Sequence, residues 1–287
     1  MSQTLSAEPV RTVLVTGAAK RLGREIALEL ARAGWQVAVH FRGSELDAVK
    51  TVTDCATLSG AAEQFQANLA DEEECRALLP RVIAHFGRVD AVVNCASLFE
   101  GDTAATFSFD TLQRHLCANV GPAVILAQAL QMHLLSREVI ADAADPAPHT
   151  HGEPGAHATG AVVNLLDQKL WNLNPDYFSY TLSKSALETA TKMLAQTLAP
   201  QVRVIGVAPG LTLPSHSMSD EQFVRLHKVS PLGRSSTAAD VAGAVRFALE
   251  NQSITGTTLL VDGGQHLMKM DRDFSALDEQ SNEPNGD

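Results

Sequence analysis

Short apolar runs alternate along the chain with longer stretches whose apolar positions recur at helical spacing. Residues 13–16 (VLVT) form the first run. A glycine turn follows, Gly17-Ala-Ala-Lys-Arg-Leu-Gly23, and then helical spacing over 25–33 that stops at Gly34. The pattern continues with a strand at 35–41, a helix at 46–58, a strand at 62–69 and a helix at 71–86 closed by Gly87. The fourth strand, 90–94 (DAVVN), has the unbroken apolar centre of a strand buried on both faces. Residues 108–135 predict a long helix, kinked where Gly121-Pro122 follows Asn119, because proline removes a backbone hydrogen bond and frees carbonyls. A strand at 161–166, a helix at 177–198, a strand at 202–207, a helix from the capping box Thr237-Ala-Ala-Asp240 to Leu249 and a strand at 258–261 complete the series. The expected fold is α/β: a Rossmann-type doubly wound parallel sheet of about seven strands with helices on both faces, in one domain over residues 11–268.

Some segments break the pattern. Residues 141–160, rich in Ala, Pro, Gly and His, read as an exposed inserted loop. Residues 211–230 read as a flap, with Met218, Phe223 and Leu226 available to cover a substrate. Residues 1–10 are expected to be flexible, and 269–287 to be an acidic tail, partly disordered.

Composition narrows the function. The chain has 22 basic and 33 acidic residues, a net charge of −11 with no basic cluster, which argues against a nucleic-acid or anionic-membrane surface. A local basic site for a phosphate remains compatible with it. No apolar run approaches the roughly 18 residues of a membrane span or resembles a signal peptide, so a cytoplasmic protein is expected. Cys55, Cys75, Cys95 and Cys117 form no Cys-x-x-Cys pair and read as reduced, mostly buried thiols. His149, His151 and His157 lack acidic or cysteine partners at ligand spacing, and no metal is expected.

The glycine turn suits a pyrophosphate, because turn N–H groups and a helix N-terminus both offer unpaired donors; a plain strand-to-helix turn would look similar. Arg21 stands where a middle glycine is usual. The second strand ends in His40, Phe41, Arg42, Gly43 and Ser44. With no acid to hold a ribose 2′-hydroxyl, and with Arg42 and Ser44 suited to a 2′-phosphate, NADP(H) is favoured over NAD. Asn94-Cys95-Ala96-Ser97-Leu98-Phe99 sits at the carboxyl end of the fourth strand, where such sheets bind ligands; Phe99 suits either ring stacking or core packing. The fifth strand delivers Asp167, and the following helix carries Tyr180 and Lys184 on one face. A nearby ammonium is expected to lower the phenol's pKa and make it a proton donor, although Tyr-x-x-x-Lys also occurs on ordinary helix faces.

Thr16-Gly17 with Gly23, Asn94-Cys95-Ala96, Asn119, Tyr180-x-x-x-Lys184, Pro209-Gly210 and Asp262-Gly263-Gly264 follow the order and spacing of the short-chain dehydrogenases/reductases. The chain resembles that family over about residues 10–267. The family's serine, thirteen residues before the tyrosine, is Asp167 here. With the turn Thr-Gly-Ala-Ala-Lys-Arg-Leu-Gly, Ser97, Phe99 and Pro-Gly-Leu at 209–211, this resembles the pteridine reductases and bacterial dihydromonapterin reductases.

The resemblance implies NADPH-dependent reduction of a pterin, with Asp167, Tyr180, Lys184 and Asn119 catalytic. It places NADPH against Gly17, Lys20, Arg21, Leu22 and Gly23, then His40, Phe41, Arg42 and Ser44, then Asn68, Leu69, Asn94, Ala96 and Ser97, and finally Lys184, Pro209 and Gly210. The pterin would meet Arg21, Ser97, Phe99, Asp167, Tyr180 and Leu211, its ring between Phe99 and the nicotinamide. A homotetramer joined through the helices around Asn119 and Tyr180 is implied as well. A carbonyl reductase, for instance of a 3-oxoacyl thioester, and a non-catalytic NADP-binding sensor are the competing readings.

Overall fold

The computed structural model describes residues 10–144, 160–214 and 218–274. Seven strands form one sheet: β1 (Thr12–Val15), β2 (Gln36–Phe41), β3 (Ala62–Gln66), β4 (Ala91–Asn94), β5 (Gly160–Leu165), β6 (Val202–Pro209) and β7 (Thr258–Val261). Their order is β3-β2-β1-β4-β5-β6-β7, and every neighbouring pair is parallel. Successive side chains of a strand point to opposite faces, so both faces must be apolar. Val13 and Val15 accordingly pack with Ile26 and Leu30 on one face, while Leu14 packs with Leu126 and Leu130 on the other. The first face is covered by α1 (Arg21–Arg32), α2 (Glu45–Ser59) and α8 (Ala238–Glu250); the second by α3 (Glu72–Phe86), α5 (Gly121–Ala144) and α6 (Phe178–Thr197). This is the doubly wound architecture expected from the alternation.

Several boundaries differ from expectation for local reasons. β3 stops at Gln66 because the next residues turn to cap α3: Asp71 accepts from Glu74 N, and Glu74 accepts from Asn68 N. The long helix at 108–135 is two helices, α4 (Phe109–Asn119) and α5. Pro122 stands in the first turn of α5, where its missing N–H costs nothing. α5 then runs to Ala144, into the segment expected to be loop; residues 145–159, with the three histidines, lie outside the described residues.

The flap region contains α7 (Asp220–His227), opened by a capping box of Ser219 and Gln222, and its residues 215–217 are outside the described set. Residues 1–9 and 275–287 lie outside it too. The tail expected from 269 starts with packed residues, since Met270 and Phe274 join Met218 and Leu226 in a small apolar cluster. Cys117 is exposed, unlike the other cysteines. Among the described residues no helix is long and apolar enough to cross a membrane.

Candidate active site

The strand order reverses beside β1, which lies between β2 and β4, and in sheets of this kind the ligand crevice lies there, outside the carboxyl ends of the strands. Gly17 takes φ +65°, and a Cβ on it would stand 3.0 Å from Ala96 Cα. A Cβ on Gly23 would stand 2.3 Å from Gly17 O, so α1 closes on the turn only because residue 23 is glycine. Lys20 is the exposed N-cap of α1, and Leu22 packs half-buried against the core. Arg21 holds φ +55°, a left-handed conformation rare outside glycine, and its Nη2 donates to Pro214 O at 2.7 Å. Thr16 Oγ1 accepts from Cys95 N and Ala96 N at 2.9 and 3.0 Å, which locks the β1 turn to the β4 loop.

At the end of β2 the side chains divide. Gly17 N donates to His40 Nδ1 at 3.0 Å, so the ring proton sits on Nε2 and is donated to Ala67 O, also at 3.0 Å. Burial lowers the His40 pKa to about 4 and keeps it neutral. The rings of His40 and Phe41, both expected beside the cofactor, are therefore buried supports of the turn and core. Leu69 is likewise core, and Asn68 is engaged with Glu74 and Ala70. Arg42 is exposed, and Ser44 begins α2 without capping it through its hydroxyl. A cavity of about 470 Å³ between the start of α1 and α2 gathers Lys20, Arg21, Arg24 and Lys50 with Asp47 and Asp54.

Asn94 Nδ2 donates to Asn164 Oδ1 at 2.8 Å, and Asn164 Nδ2 to Thr191 Oγ1 at 2.9 Å, tying β4, β5 and α6 together. The Oδ1 of Asn94 is buried and has no hydrogen-bond partner. Gly210 is forced by close packing, since its Cβ would lie 2.4 Å from Gln265 Oε1; the same oxygen accepts from Leu211 N at 2.8 Å. Pro209 ends β6 directly before it.

The candidate chemical centre lies between β5 and α6. Asp167 Oδ1 accepts from Lys169 N at 2.9 Å, and its Oδ2 accepts from Tyr180 OH at 2.9 Å. Burial raises the Asp167 pKa against those two hydrogen bonds. Burial and then the Asp167 charge push the Tyr180 phenol well above its ordinary value. Lys184 donates to Leu165 O at 2.7 Å, and burial pulls it down to about 8. The expectation that Lys184 would lower the phenol's pKa is thus corrected: Nζ is held by a carbonyl, 5.7 Å from the ring centre, and burial beside a carboxylate decides the phenol's pKa. The pair is arranged to keep a proton rather than to form phenolate.

Asn119 is fully engaged as a clamp. Its Oδ1 accepts from Leu98 N at 2.7 Å and Ser97 Oγ at 3.2 Å, while Nδ2 donates to Leu98 O and Ser183 Oγ at 3.0 and 2.9 Å. This pins the loop carrying Phe99 against α6. Phe99 is 46% exposed, yet one face is covered by Tyr177, stacked at 4.2 Å and 16°; it meets Tyr180 edge-on at 4.7 Å.

Sequence reasoning passed over Tyr177, Lys169 and Asp102. Asp102 accepts from Ser179 N at 2.8 Å and so caps α6 from a distant loop, a cap that no local pattern announces. Tyr177 precedes α6 with φ +51°, the kind of backbone strain that sequence does not display. Among the described residues no group of three or more His, Cys, Asp or Glu is placed to hold a metal ion.

A parallel sheet with a glycine turn at its switch point, beside a tyrosine held on a buried carboxylate, defines an oxidoreductase of the dinucleotide-binding class. The family described as enoyl-(acyl carrier protein) reductase matches residues 17–266. The chain belongs to the short-chain dehydrogenase/reductase family. The 3-oxoacyl-[acyl-carrier-protein] reductase FabG of Staphylococcus aureus is 28% identical over 262 residues, spanning 90% of this chain and 98% of that protein. The crystal structure of FolM alternative dihydrofolate reductase 1 from Brucella suis, in complex with NADP, superposes with a TM-score of 0.76 at 36% identity, over 90% of this chain and 96% of that one. A short-chain dehydrogenase/reductase structure from Burkholderia xenovorans shares the fold at TM-score 0.76 and 24% identity.

Proposed function

We propose that this protein is an NADPH-dependent reductase of a pterin, converting a dihydropterin to a tetrahydropterin. The observation that carries this reading is the hydrogen bond from Tyr180 OH to Asp167 Oδ2 at 2.9 Å. Reducing a C=N bond requires hydride at carbon and a proton at nitrogen. A serine in place of Asp167 would serve a ketone; a carboxylate also accepts from the amino and ring N–H groups of a pterin.

The residues fit the cofactor: the Gly17–Gly23 turn admits a pyrophosphate, and Arg42 and the uncommitted hydroxyl of Ser44 suit a 2′-phosphate. When bound, NADPH supplies the hydride. Lys184 orients the nicotinamide ribose, Phe99 packs on the flat substrate ring, and Asp167 with Tyr180 passes a proton through water to the ring nitrogen. Ser97, Arg21 and Leu211 line the substrate's edge. Asn119 keeps the Phe99 loop in place. The FolM neighbour, an alternative dihydrofolate reductase, supports this reading.

The FabG relatives favour a second reading, reduction of a 3-oxoacyl thioester. NADPH oxidation measured with dihydropterins, dihydrofolate and a 3-oxoacyl thioester side by side decides between them. Turnover of the pterins alone is expected, and turnover of the thioester alone would overturn the proposal. A cytoplasmic location and a homotetramer belong to the same reading; the apolar Phe109, Met132 and Met193, which α4, α5 and α6 leave exposed, suit self-association through those helices.

A further inference from the structure

After β7 the chain returns to the segment between Asp167 and Tyr180, a course that the sheet itself does not require. Met270 N donates to Asn172 Oδ1 at 3.2 Å. Arg272 Nε donates to both carboxylate oxygens of Asp176, at 3.2 and 2.9 Å, and Asp273 N donates to Asp176 Oδ2 at 2.7 Å. Phe274 anchors the end among Met218 and Leu226.

Beneath this return lies Lys169, 3% exposed. Its ammonium donates to Asp176 O at 2.5 Å and to Asp273 Oδ2 at 3.3 Å, and lies 5.4 Å from the centre of the Tyr177 ring. A buried ammonium without a counter-charge is strongly unfavourable, so the Asp273 carboxylate is what makes this position tenable for a lysine. Asp176 is then gripped twice, at its carbonyl by Lys169 and at its carboxylate by Arg272 and the Asp273 amide. The next residue is Tyr177, whose left-handed backbone sets its ring flat on Phe99, which in turn meets Tyr180.

We propose that Lys169 and Asp273 are positioning residues whose ion pair latches the returning chain onto the Asp176–Tyr177 corner, fixing the Tyr177–Phe99 wall of the substrate site. The identity of the substrate rests on the pterin reading; the latch does not. A rigid aromatic wall favours a planar bicyclic ring, which gains stacking from it, over a flexible acyl chain.

The test uses Asp273→Ala and Asp273→Asn in the full-length chain, with two readouts. Amide hydrogen exchange over residues 172–178 is expected to rise about ten-fold in Asp273→Ala while the centre of α6 stays protected. Unchanged exchange at 172–178, or loss of protection throughout α6, overturns the latch. In steady-state kinetics the KM for dihydropterin is expected to rise about three- to five-fold, because the latch acts on the substrate wall only through the Asp176–Tyr177 corner, with kcat and the KM for NADPH unchanged within about two-fold. Asp273→Asn, which keeps an accepting oxygen for Lys169, is expected to fall between the two. An unchanged KM for dihydropterin, or a parallel rise in both KM values, overturns the positioning role. Failure of the unmodified protein to turn over any pterin overturns the functional reading, and the exchange readout then decides the latch alone.

Discussion

Tyr180 donates its phenolic hydrogen to Asp167 Oδ2 across 2.9 Å, and burial raises the pKa of both partners. The pair therefore stores a proton next to the crevice at neutral pH instead of splitting into phenolate and acid. Removing the phenol in Tyr180→Phe removes that donor while leaving the ring to pack. Turnover is expected to fall by about 10²–10⁴-fold, the usual contribution of a positioned acid, with NADPH affinity unchanged within about two-fold. Asp167→Ala should fall similarly. Steady-state rates and NADPH fluorescence titration check this; a Tyr180→Phe enzyme within about ten-fold of the unmodified rate would remove the assignment.

Lys184 gives the reaction a pH limit. Burial lowers it to about 8, so its ammonium is intact below that pH and lost above it. If the charge orients the cofactor ribose, kcat/KM should be level at pH 6–7 and decline as pH rises through about 8, since that parameter reports the free enzyme. A profile flat to about pH 9.5 would show that the charge is not needed.

The sheet was legible because Val13, Leu14 and Val15 are all apolar, as a strand covered on both faces needs, and a glycine turn ends the run too soon for a helix. Spacing put Tyr180 and Lys184 on one helix face and the family resemblance singled out Asp167, but the direction of the Tyr180 shift was not legible. Helical spacing shows that Lys184 shares a face with Tyr180 without showing that its ammonium turns to Leu165 O. The work of His40 was hidden for a similar reason: its partners, Gly17 and Ala67, are 23 and 27 residues away in sequence. The returning chain at 270–274 has no apolar period, being held by Arg272, Asp273 and Lys169, so composition alone made it look like loose tail.

Arg42 tests the cofactor assignment. It is exposed at the end of β2, and no carboxylate stands at that strand's end to hold a ribose 2′-hydroxyl. Arg42→Ala should raise the KM for NADPH by about ten- to hundred-fold, the value of a charge-assisted hydrogen bond to phosphate, and leave the KM for NADH unchanged. Equal use of NADH and NADPH by the unmodified protein would refute the assignment.

Gly23→Ala sets two effects against each other. Alanine improves helix propensity by about 1 kcal/mol. Its Cβ, however, would lie 2.3 Å from the carbonyl oxygen of Gly17, which is backbone and cannot turn aside. The clash wins, and a net loss of about 1–3 kcal/mol is expected, together with weaker NADPH binding as the turn opens. Urea unfolding and NADPH titration check both parts; an unchanged midpoint with unchanged affinity would mean that the turn is looser than its geometry implies.

His40 links the turn to acid stability. Its pKa falls from 6.5 to about 4 on burial, so the unfolded chain binds a proton between those values that the folded protein does not. The stability that His40 contributes is thus complete above pH 6.5 and is lost progressively as pH falls toward 4. The urea midpoint should drop between pH 7 and pH 5, and His40→Gln should show a lower midpoint at pH 7 with a shallower fall. The lower midpoint follows because Gly17 N and Ala67 O no longer share one well-placed partner; the shallower fall follows because glutamine does not titrate. If the variant retained the full acid dependence, another group would have to carry it, and the neutral ring under the glycine turn would no longer be its source.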